Sequence, residues 1–292
     1  MIDLAVVVVT YSPGESLGTF LATLSTATSQ RVSVVLADNG STDGVPNDAA
    51  TKYDEVRLVD TGSNLGYGAA ANMGVAATDA DLVLIANPDI VWSPGALDLL
   101  VAAAARWPGA GSLGPLIRTT EGEIYPSARA LPSLGRGIGH ALCGWWWPGN
   151  PWTAAYRNER GAPREGAAGW LSGSCLLVRR AAFEAIGGFD PGYFMYFEDL
   201  DLGERLGLAG WQNVYVPSAE VTHVGGHATA RDPNRMTTEH HRSAWRWVCL
   251  HYRGWRWAPV RVVLKAGLTA RAALAQRKPA VAAGAPPHRQ MS

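Results

Sequence analysis

Glu198, Asp199 and Asp201 place three carboxylates within four residues. One carboxylate is enough for a general base, taking the proton from a sugar hydroxyl while that oxygen attacks. The other acids could simply complement a helix N-terminus. The aromatic approach Tyr193-Phe194-Met195-Tyr196-Phe197 would reduce solvation beside such a base and raise its basicity, or else belong to the core. A second cluster, Asn87-Pro88-Asp89, suits a hard divalent cation. A metal on a diphosphate takes one or two protein carboxylates and fills its other positions with phosphate and water oxygens. Asp89 supplies one such ligand. His223, in Val221-Thr222-His223-Val224-Gly225-Gly226-His227, could supply another from a distant part of the chain, with His227 a further candidate; a loop histidine can equally be exposed or hydrogen-bonded.

Two more segments have the composition of a nucleotide site. In Asp38-Asn39-Gly40-Ser41-Thr42-Asp43-Gly44 a carboxylate could accept the N3–H of a uracil or thymine ring, and Asn-Gly permits a sharp turn around it. An Asx-turn would use the same residues. In Gly62-Ser63-Asn64-Leu65-Gly66-Tyr67-Gly68-Ala69-Ala70-Ala71-Asn72 the glycines would let a diphosphate approach the backbone. The N-terminus of the following helix offers N–H groups and a positive dipole end; a glycine turn into a close-packed helix is the alternative. There is no Gly-Lys-Ser/Thr here and no G-x-G-x-x-G after the first strand. The segment therefore differs from the Walker and dinucleotide fingerprints, which disfavours a dinucleotide-dependent oxidoreductase.

These residues need elements to hold them together. Apolar, β-branched runs predict strands over residues 2–10, 31–38, 56–60, 81–86 and 110–116, with helices over 15–27, 66–77 and 94–107 between them. That alternation is the pattern of βαβ units in a mainly parallel sheet. Ligands of such sheets bind beyond the strands' carboxyl ends, where Thr10-Tyr11, Asp38-Asn39, Asn64 and Asn87-Pro88-Asp89 fall. Strand-to-helix turns favour such residues anyway, but four turns converging on one crevice are harder to dismiss. Residues 117–165 are irregular, with Trp145-Trp146-Trp147 and Trp152, and read as a binding loop. Beyond them the pattern predicts a buried strand over 170–180 entered by a small-residue turn, helices over 180–186 and 198–208, and a strand over 211–216 that leads into a histidine-containing loop.

The 292 residues are 47% hydrophobic and 17% charged, enough for a substantial core and too apolar for wholesale disorder. Their number suits one large domain with appended elements. Cys143, Cys175 and Cys249 lie too far apart for a metal or redox motif and suggest a reducing compartment. No apolar run reaches the length of a membrane span, and no signal-peptide pattern opens the chain. Net charge is zero but uneven: from Arg231 onward twelve Lys/Arg stand against two acids, Asp232 and Glu239, so that part carries +10 and the rest −10. Such asymmetry points to an anionic partner. Helical spacing puts Arg242, Arg246 and Arg253 on one face, beside an apolar face of Trp245, Cys249 and Tyr252. Arginine with tryptophan suits a helix lying among anionic headgroups; a solvated face packed on the core is the alternative. No nucleic-acid recognition motif is present, so no nucleic-acid partner is expected.

In order, V-T-Y-S, A-D-N-G-S-T-D-G, G-x-N-L-G-Y-G-x-A-x-N, N-P-D, W-L-S-G-S-C-L-L-V-R-R, F-M-Y-F-E-D-x-D-L-G and V-T-H resemble family 2 glycosyltransferases of the GT-A fold. The match runs from about residue 6 to residue 235. The stretches P-S-x-x-x-x-P-S-L at 126–134 and N-P-W-T-x-A-Y-R at 150–157 look most like those of family members that add rhamnose to a polyprenyl-diphosphate sugar in building the arabinogalactan linker of a cell wall. The resemblance implies an α/β fold: a GT-A, Rossmann-like nucleotide-sugar-binding sheet flanked by helices, with a C-terminal helical membrane-associating extension. Its divisions would be a GT-A domain at 1–230 (nucleotide half 1–116, acceptor half 117–230), a basic, Trp-rich helical extension at 231–278 and a disordered tail at 279–292.

The activity implied is inverting transfer of L-rhamnose from dTDP-L-rhamnose to the 3-hydroxyl of GlcNAc on polyprenyl (decaprenyl) diphosphate. Thr10, Tyr11, Asp38, Asn64, Gly66, Asn72 and Asn87 would bind the nucleotide, Asp89 and His223 would hold Mg²⁺ or Mn²⁺, and Asp199 would be the base. Trp170, Glu198, Arg231, Arg242, Arg246 and Arg253 would serve the acceptor or an anionic membrane surface. The enzyme would be cytoplasmic and peripheral on the inner face of the plasma membrane, with an oligomer possible. One departure matters: Asn87 stands where many GT-A enzymes carry the first Asp of D-x-D, which should weaken metal binding. Another donor such as UDP-galactofuranose, or a non-catalytic nucleotide-sugar or lipid-binding module, would use the same crevice.

Overall fold

The computed structural model describes residues 3–132, 163–225 and 233–276, and the chain divides into two compact units, Met1–Arg231 and Asp232–Ser292. The first unit opens as an alternation of β1 (Leu4–Thr10), α1 (Glu15–Ala27), β2 (Ser33–Asp38), α2 (Val45–Lys52), β3 (Val56–Asp60), α3 (Tyr67–Ala76) and β4 (Leu82–Ala86). Then come β5 (Ile90–Trp92), α4 (Ala96–Arg106), β6 (Ala110–Arg118), β7 (Ile124–Tyr125) and β8 (Ala128–Arg129). After the insert follow β9 (Gly166–Ala168), β10 (Trp170–Leu171), β11 (Cys175–Arg179), α5 (Arg180–Ala185), α6 (Glu198–Leu208) and β12 (Gln212–His223).

One ten-stranded sheet runs in the order β3-β2-β1-β4-β11-β6-β12-β5, with β7 added beside β6 and β9 beside β12. Strands β3, β2, β1 and β4 are parallel. Alternation along β1 explains the layers, because successive side chains leave opposite faces of a strand. Val6 and Val8 enter one core with Leu17, Phe20, Leu97 and Leu100, whereas Val7 and Val9 enter another with Ala70, Ala71, Phe183 and Leu202. A strand covered on both faces needs apolar residues throughout; all seven residues of β1 are buried.

Beyond β4 the sheet is mixed. β11 runs antiparallel to both β4 and β6, and β5 runs antiparallel to β12, because no helical crossover delivers them. The strand expected over 170–180 is split by Ser172-Gly173-Ser174: β11 joins the main sheet while β10 pairs with β8 in a separate two-stranded sheet. The strand expected over 211–216 continues to His223 through an irregularity between Val216 and Glu220. Pro217 lies there, lacking the N–H that a regular ladder needs. His223 is therefore a strand residue, not a loop residue.

In the second unit α7 (Pro233–His251) and α8 (Ala258–Gln276) pack on one another across a 3₁₀ turn at Trp255–Trp257. Trp247 stacks on His251 at 4.0 Å, and Tyr252 meets Trp257 at 5.2 Å. Arg253 does not share a helical face with Arg242 and Arg246. α7 ends at His251, Gly254 turns the chain at φ 84°, and Arg253 folds back to donate Nε–H to Leu250 O at 3.0 Å. Among the described residues no helix is long and apolar enough to cross a membrane. The tryptophans at 145–152, the motif at 150–157, His227, Arg231 and the tail at 279–292 lie outside the described residues.

Candidate active site

At the carboxyl ends of β1, β2 and β4 a cleft of about 120 Å³ is lined by Tyr11, Asn39, Asn64, Tyr67, Asn87 and Asp89, among others. Its floor follows from the register. β1 pairs with β2 so that Thr10 stands beside Asp38, and Thr10 Oγ1 donates to Asp38 Oδ1 at 2.9 Å with both residues buried. The Ser41 hydroxyl donates to the same oxygen, and Ser41 N–H to Oδ2 at 3.2 Å. Asp38 thus organises the turn beyond β2, and neither it nor Thr10 lines the cleft. The expectation that Asp38 offers a bare carboxylate to a base differs from this arrangement, since three donors of the protein already converge on it.

Asn39 ties that turn to the glycine-rich loop. Its Nδ2 donates to Asn64 Oδ1 at 3.1 Å, and its Oδ1 accepts from Leu65 N–H at 2.8 Å. Gly66, with φ 91°, is required for a second reason: a Cβ there would lie 2.3 Å from Phe194 O. That carbonyl accepts from Tyr67 N–H at 3.0 Å, so the first turn of α3 is capped by the segment that leads into α6. Asn72 does not line the cleft either. Its amide accepts from Phe189 N–H at 2.9 Å and donates to Phe189 O at 2.8 Å, clamping the segment that leads into α6.

Asp89 and His223 meet because β5 pairs with the end of β12, Ile90 opposite His223. His223 Nε2 lies 3.1 Å from Asp89 Oδ1, which is buried and has no hydrogen-bond donor aimed at it. Gly225 N–H donates to Oδ2 at 3.1 Å. Burial pushes the Asp89 carboxyl up, but His223 and the Gly225 amide more than offset it and leave the group below the usual carboxylate range. In octahedral coordination at about 2.1 Å, neighbouring ligand atoms sit about 3.0 Å apart, so this pair fits one edge of a Mg²⁺-like site. Asn87 Nδ2 is 3.3 Å from His223 Nε2, and rotating that amide by half a turn would present its oxygen instead. Among the described residues no third His, Cys, Asp or Glu joins the pair.

On the opposite wall, Tyr196 and Phe197 take φ 66° and 68°, conformations uncommon for bulky residues and strained where they occur. They swing the chain so that α6 begins at Glu198. The three carboxylates then part company. Asp201 accepts from Arg205 Nε at 2.6 Å as an ion pair on its own helix. Glu198 is buried, with Oε2 unpartnered; burial, then the charge of Asp199, push it up to about 8. Asp199 is also pushed up by burial, but its charged form is supported by Gly173 N–H on Oδ2 at 3.0 Å and Leu200 N–H on Oδ1 at 2.8 Å. When two adjacent carboxyls share a site, one keeps the proton. Here the Gly173 and Leu200 N–H groups favour the proton on Glu198 and the charge on Asp199. Tyr67 connects it to the cleft by donating its hydroxyl to Gly173 O at 2.6 Å.

The family described as Glycosyltransferase like family 2 matches residues 3–249. The chain belongs to this family. Its sequence is 56% identical over 285 residues to N-acetylglucosaminyl-diphospho-decaprenol L-rhamnosyltransferase of Mycobacterium tuberculosis, covering 94% of this chain and 93% of that one. Rhamnosyltransferase WbbL of Escherichia coli K12 is 30% identical over 201 residues, 64% of this chain and 72% of that one. Among solved structures, mannosyltransferase PcManGT from Pyrobaculum calidifontis, in complex with GDP-Man and Mn²⁺, superposes with a TM-score of 0.60 at 17% identity over 97% of this chain and 76% of that one. GalNAc-T7 with UDP, GalNAc and Mn²⁺ gives 0.57 at 14% identity, over 77% and 44%. The family 2 fold is thus a central sheet flanked by helices of the GT-A type.

Within this glycosyltransferase, Tyr11, Asn64, Asn87 and Asp89 line the cleft, whereas Thr10, Asp38, Gly66 and Asn72 support its walls. Asn39, expected at the crevice but given no binding role, and Tyr67, given no role at all, both line the cleft. Each stood inside a quoted motif, but a turn-forming Asn and a tyrosine between glycines carry no separate signal. Gly173 and Arg129 also escaped notice, because what matters in them is contact with residues far along the chain.

Proposed function

We propose that this family 2 glycosyltransferase transfers L-rhamnose from dTDP-L-rhamnose to the 3-hydroxyl of GlcNAc on a polyprenyl (decaprenyl) diphosphate, with inversion. The high identity to the mycobacterial enzyme over nearly all of both chains supports the donor and acceptor. The observation that carries the chemistry is Asp199: unlike Asp201 it is in no ion pair on its helix, and unlike Glu198, whose Oε2 is unpartnered, it accepts Gly173 and Leu200 N–H groups that favour its charged form. As the acceptor oxygen forms its bond to the anomeric carbon, its proton passes to the Asp199 carboxylate. The bond from that carbon to the diphosphate breaks, and dTDP leaves with the electron pair. A single displacement of this kind inverts the anomeric centre.

Leu200 and Gly173 N–H groups hold the base in position, while the buried, protonated Glu198 keeps the site from carrying a second negative charge. Asp89 and His223 would hold Mg²⁺ or Mn²⁺, which when bound offsets negative charge on the diphosphate. With two protein ligands, such an ion depends on donor phosphates and water for the rest, as Mg²⁺ sites on nucleotides do. Tyr11, Asn39 and Asn64 face the space a nucleotide would take beside them.

The second unit would keep the enzyme at the inner face of the membrane, where a polyprenyl chain is embedded. Exposed Trp255, Val262 and Val263 lie beside Arg256 and Arg261 in a segment rich in basic charge, the combination that favours an anionic interface. The function is tested by incubating the protein with Mg²⁺, dTDP-rhamnose or a UDP-sugar, and polyprenyl-diphosphate-GlcNAc, with and without chelator. Acceptor-dependent release of dTDP that chelation abolishes is expected. Release from a UDP-sugar alone would replace the donor, and no release from any donor would remove the transferase reading.

A further inference from the structure

In the small sheet of β8 and β10, Arg129 stands opposite Trp170. Its guanidinium carbon lies 5.2 Å from the centre of the Trp170 ring and 5.5 Å from that of Tyr125. Nε donates to Pro126 O at 2.7 Å and Nη2 to the Tyr125 hydroxyl at 3.3 Å. Two rings and two hydrogen bonds thus fix the plane of the fork, yet none of them neutralises it. Arg118, nearby in sequence, is paired with Glu220 at 2.8 Å, and Arg106 with Glu165 at 2.7 Å. Among the described residues no carboxylate pairs with Arg129. A planar cation with no carboxylate in direct contact suits the paired oxygens of a phosphate.

Its place in the fold says which phosphate. The Trp170 backbone presses against Gly203 of α6, where a Cβ would lie 2.9 Å from Trp170 Cα. Gly203 is one helical turn beyond Asp199, on the same face, a separation of about 6 Å. Gly169 permits the close approach of the two strands, since a Cβ there would lie 2.4 Å from Leu131 N. Two residues past β10, Gly173 donates to Asp199. The charge of Arg129 also reaches Asp199, among the smaller influences that favour its ionised form. Tyr125 lines a cavity of about 410 Å³ whose wall includes Arg118, Thr119, Thr120, Glu121 and His223. The donor's diphosphate has its own site at Asp89 and His223, so a cation with no carboxylate in contact, on the strand opposite Trp170 where β10 packs on α6, is available to the other substrate.

We propose that Arg129, held over Trp170 and Tyr125, binds the diphosphate of the lipid-linked acceptor. This rests on the transferase reading and adds to it the group that orients the acceptor sugar, with its hydroxyl toward Asp199 and its diphosphate toward Arg129. Kinetics with farnesyl-diphosphate-GlcNAc test it. Arg129→Gln should raise the KM for this acceptor at least about tenfold while the KM for dTDP-rhamnose stays within about twofold; Arg129→Lys, keeping charge but losing the fork, should fall between. An unchanged acceptor KM, or equal rises for both substrates, would overturn the proposal. If Arg129→Gln does not fold, the Lys variant carries the same comparison. Calorimetric titration with farnesyl diphosphate, without donor, separates the two readings. Binding to the wild type that weakens about tenfold in the variant supports the site, and equal binding, or none to either protein, removes it. A wild type that binds farnesyl diphosphate yet transfers nothing from dTDP-rhamnose faults the transferase reading alone.

Discussion

Across the cleft the two walls are built on different principles. On the donor side Thr10, Asp38, Asn39, Ser41 and Asn64 bond to one another and to nearby backbone, at the ends of strands whose own ladders are regular. On the acceptor side two consecutive aromatic residues adopt left-handed backbone, two carboxyls stand side by side with raised proton affinity, and a cation lies over two rings. The donor side has only Ser12, φ 47°, as a comparable backbone exception among the described residues. Apart from Asp89, whose Oδ1 has no donor, one wall satisfies its own hydrogen bonds, whereas the other stores strain and unbalanced charge beside the proposed base. Binding needs shape that persists, and base catalysis needs a group held away from its resting ionisation, so the division follows the chemistry.

The comparison breaks most sharply at Asp199. Asp199→Asn should lower kcat by about 10³-fold, within the usual range for a general base, while calorimetric affinity for dTDP stays unchanged. Equal losses of affinity and turnover would return Asp199 to a structural role. Because burial raises the Asp199 carboxyl, the acid limb of kcat/KM should lie above the ordinary aspartate range.

Gly66 tests whether the walls are coupled. A Cβ 2.3 Å from Phe194 O must displace the segment that carries Tyr196 and Phe197. Gly66→Ala should therefore cost about 2–4 kcal/mol by denaturant unfolding and lower kcat of the folded protein by about tenfold to a hundredfold. A stability loss with normal kcat would mean that the walls move independently.

The smallest effect concerns Glu198. Its carboxyl is held up at about 8 in the folded protein against about 4.3 in an unfolded chain. Between those values the folded state keeps a proton that the unfolded chain loses. The associated stability is complete below about pH 4.3 and lost as pH rises through about 8. Between pH 5 and 8 the Tm of Glu198→Gln should consequently fall by at least about 3 °C less than that of the wild type. Parallel Tm curves would show that Glu198 is not protonated in the fold.

The same division governs what could be read in the sequence. The first half of the chain was legible because each signal is local: β1, β2 and β4 are apolar runs, β3 is a short one broken by Arg57, and α1 was anticipated at its observed bounds. Even there α2 escaped, its hydrophobic face being slight, although Gly44 followed by Val45-Pro46, with Asp48 in the first turn and Lys52 in the last, marks a helix start and stop. In the acceptor half the deciding interactions join distant residues. The split of 170–180 depends on pairing with Ala128–Arg129, 42 positions earlier, and the place of His223 on Pro217 and a partner strand at Ile90. Asn72 looked like a ligand because it closes a glycine motif; only the position of Phe189 shows what its amide holds.

The proposed reaction is one displacement across these walls, with Asp199 taking the acceptor proton. The anomeric configuration of the product formed from dTDP-β-L-rhamnose and polyprenyl-diphosphate-GlcNAc, read by the one-bond carbon–proton coupling in NMR, tests it most directly. An α-L-rhamnoside is the result predicted; a β-linked product, with the donor's configuration retained, would contradict it.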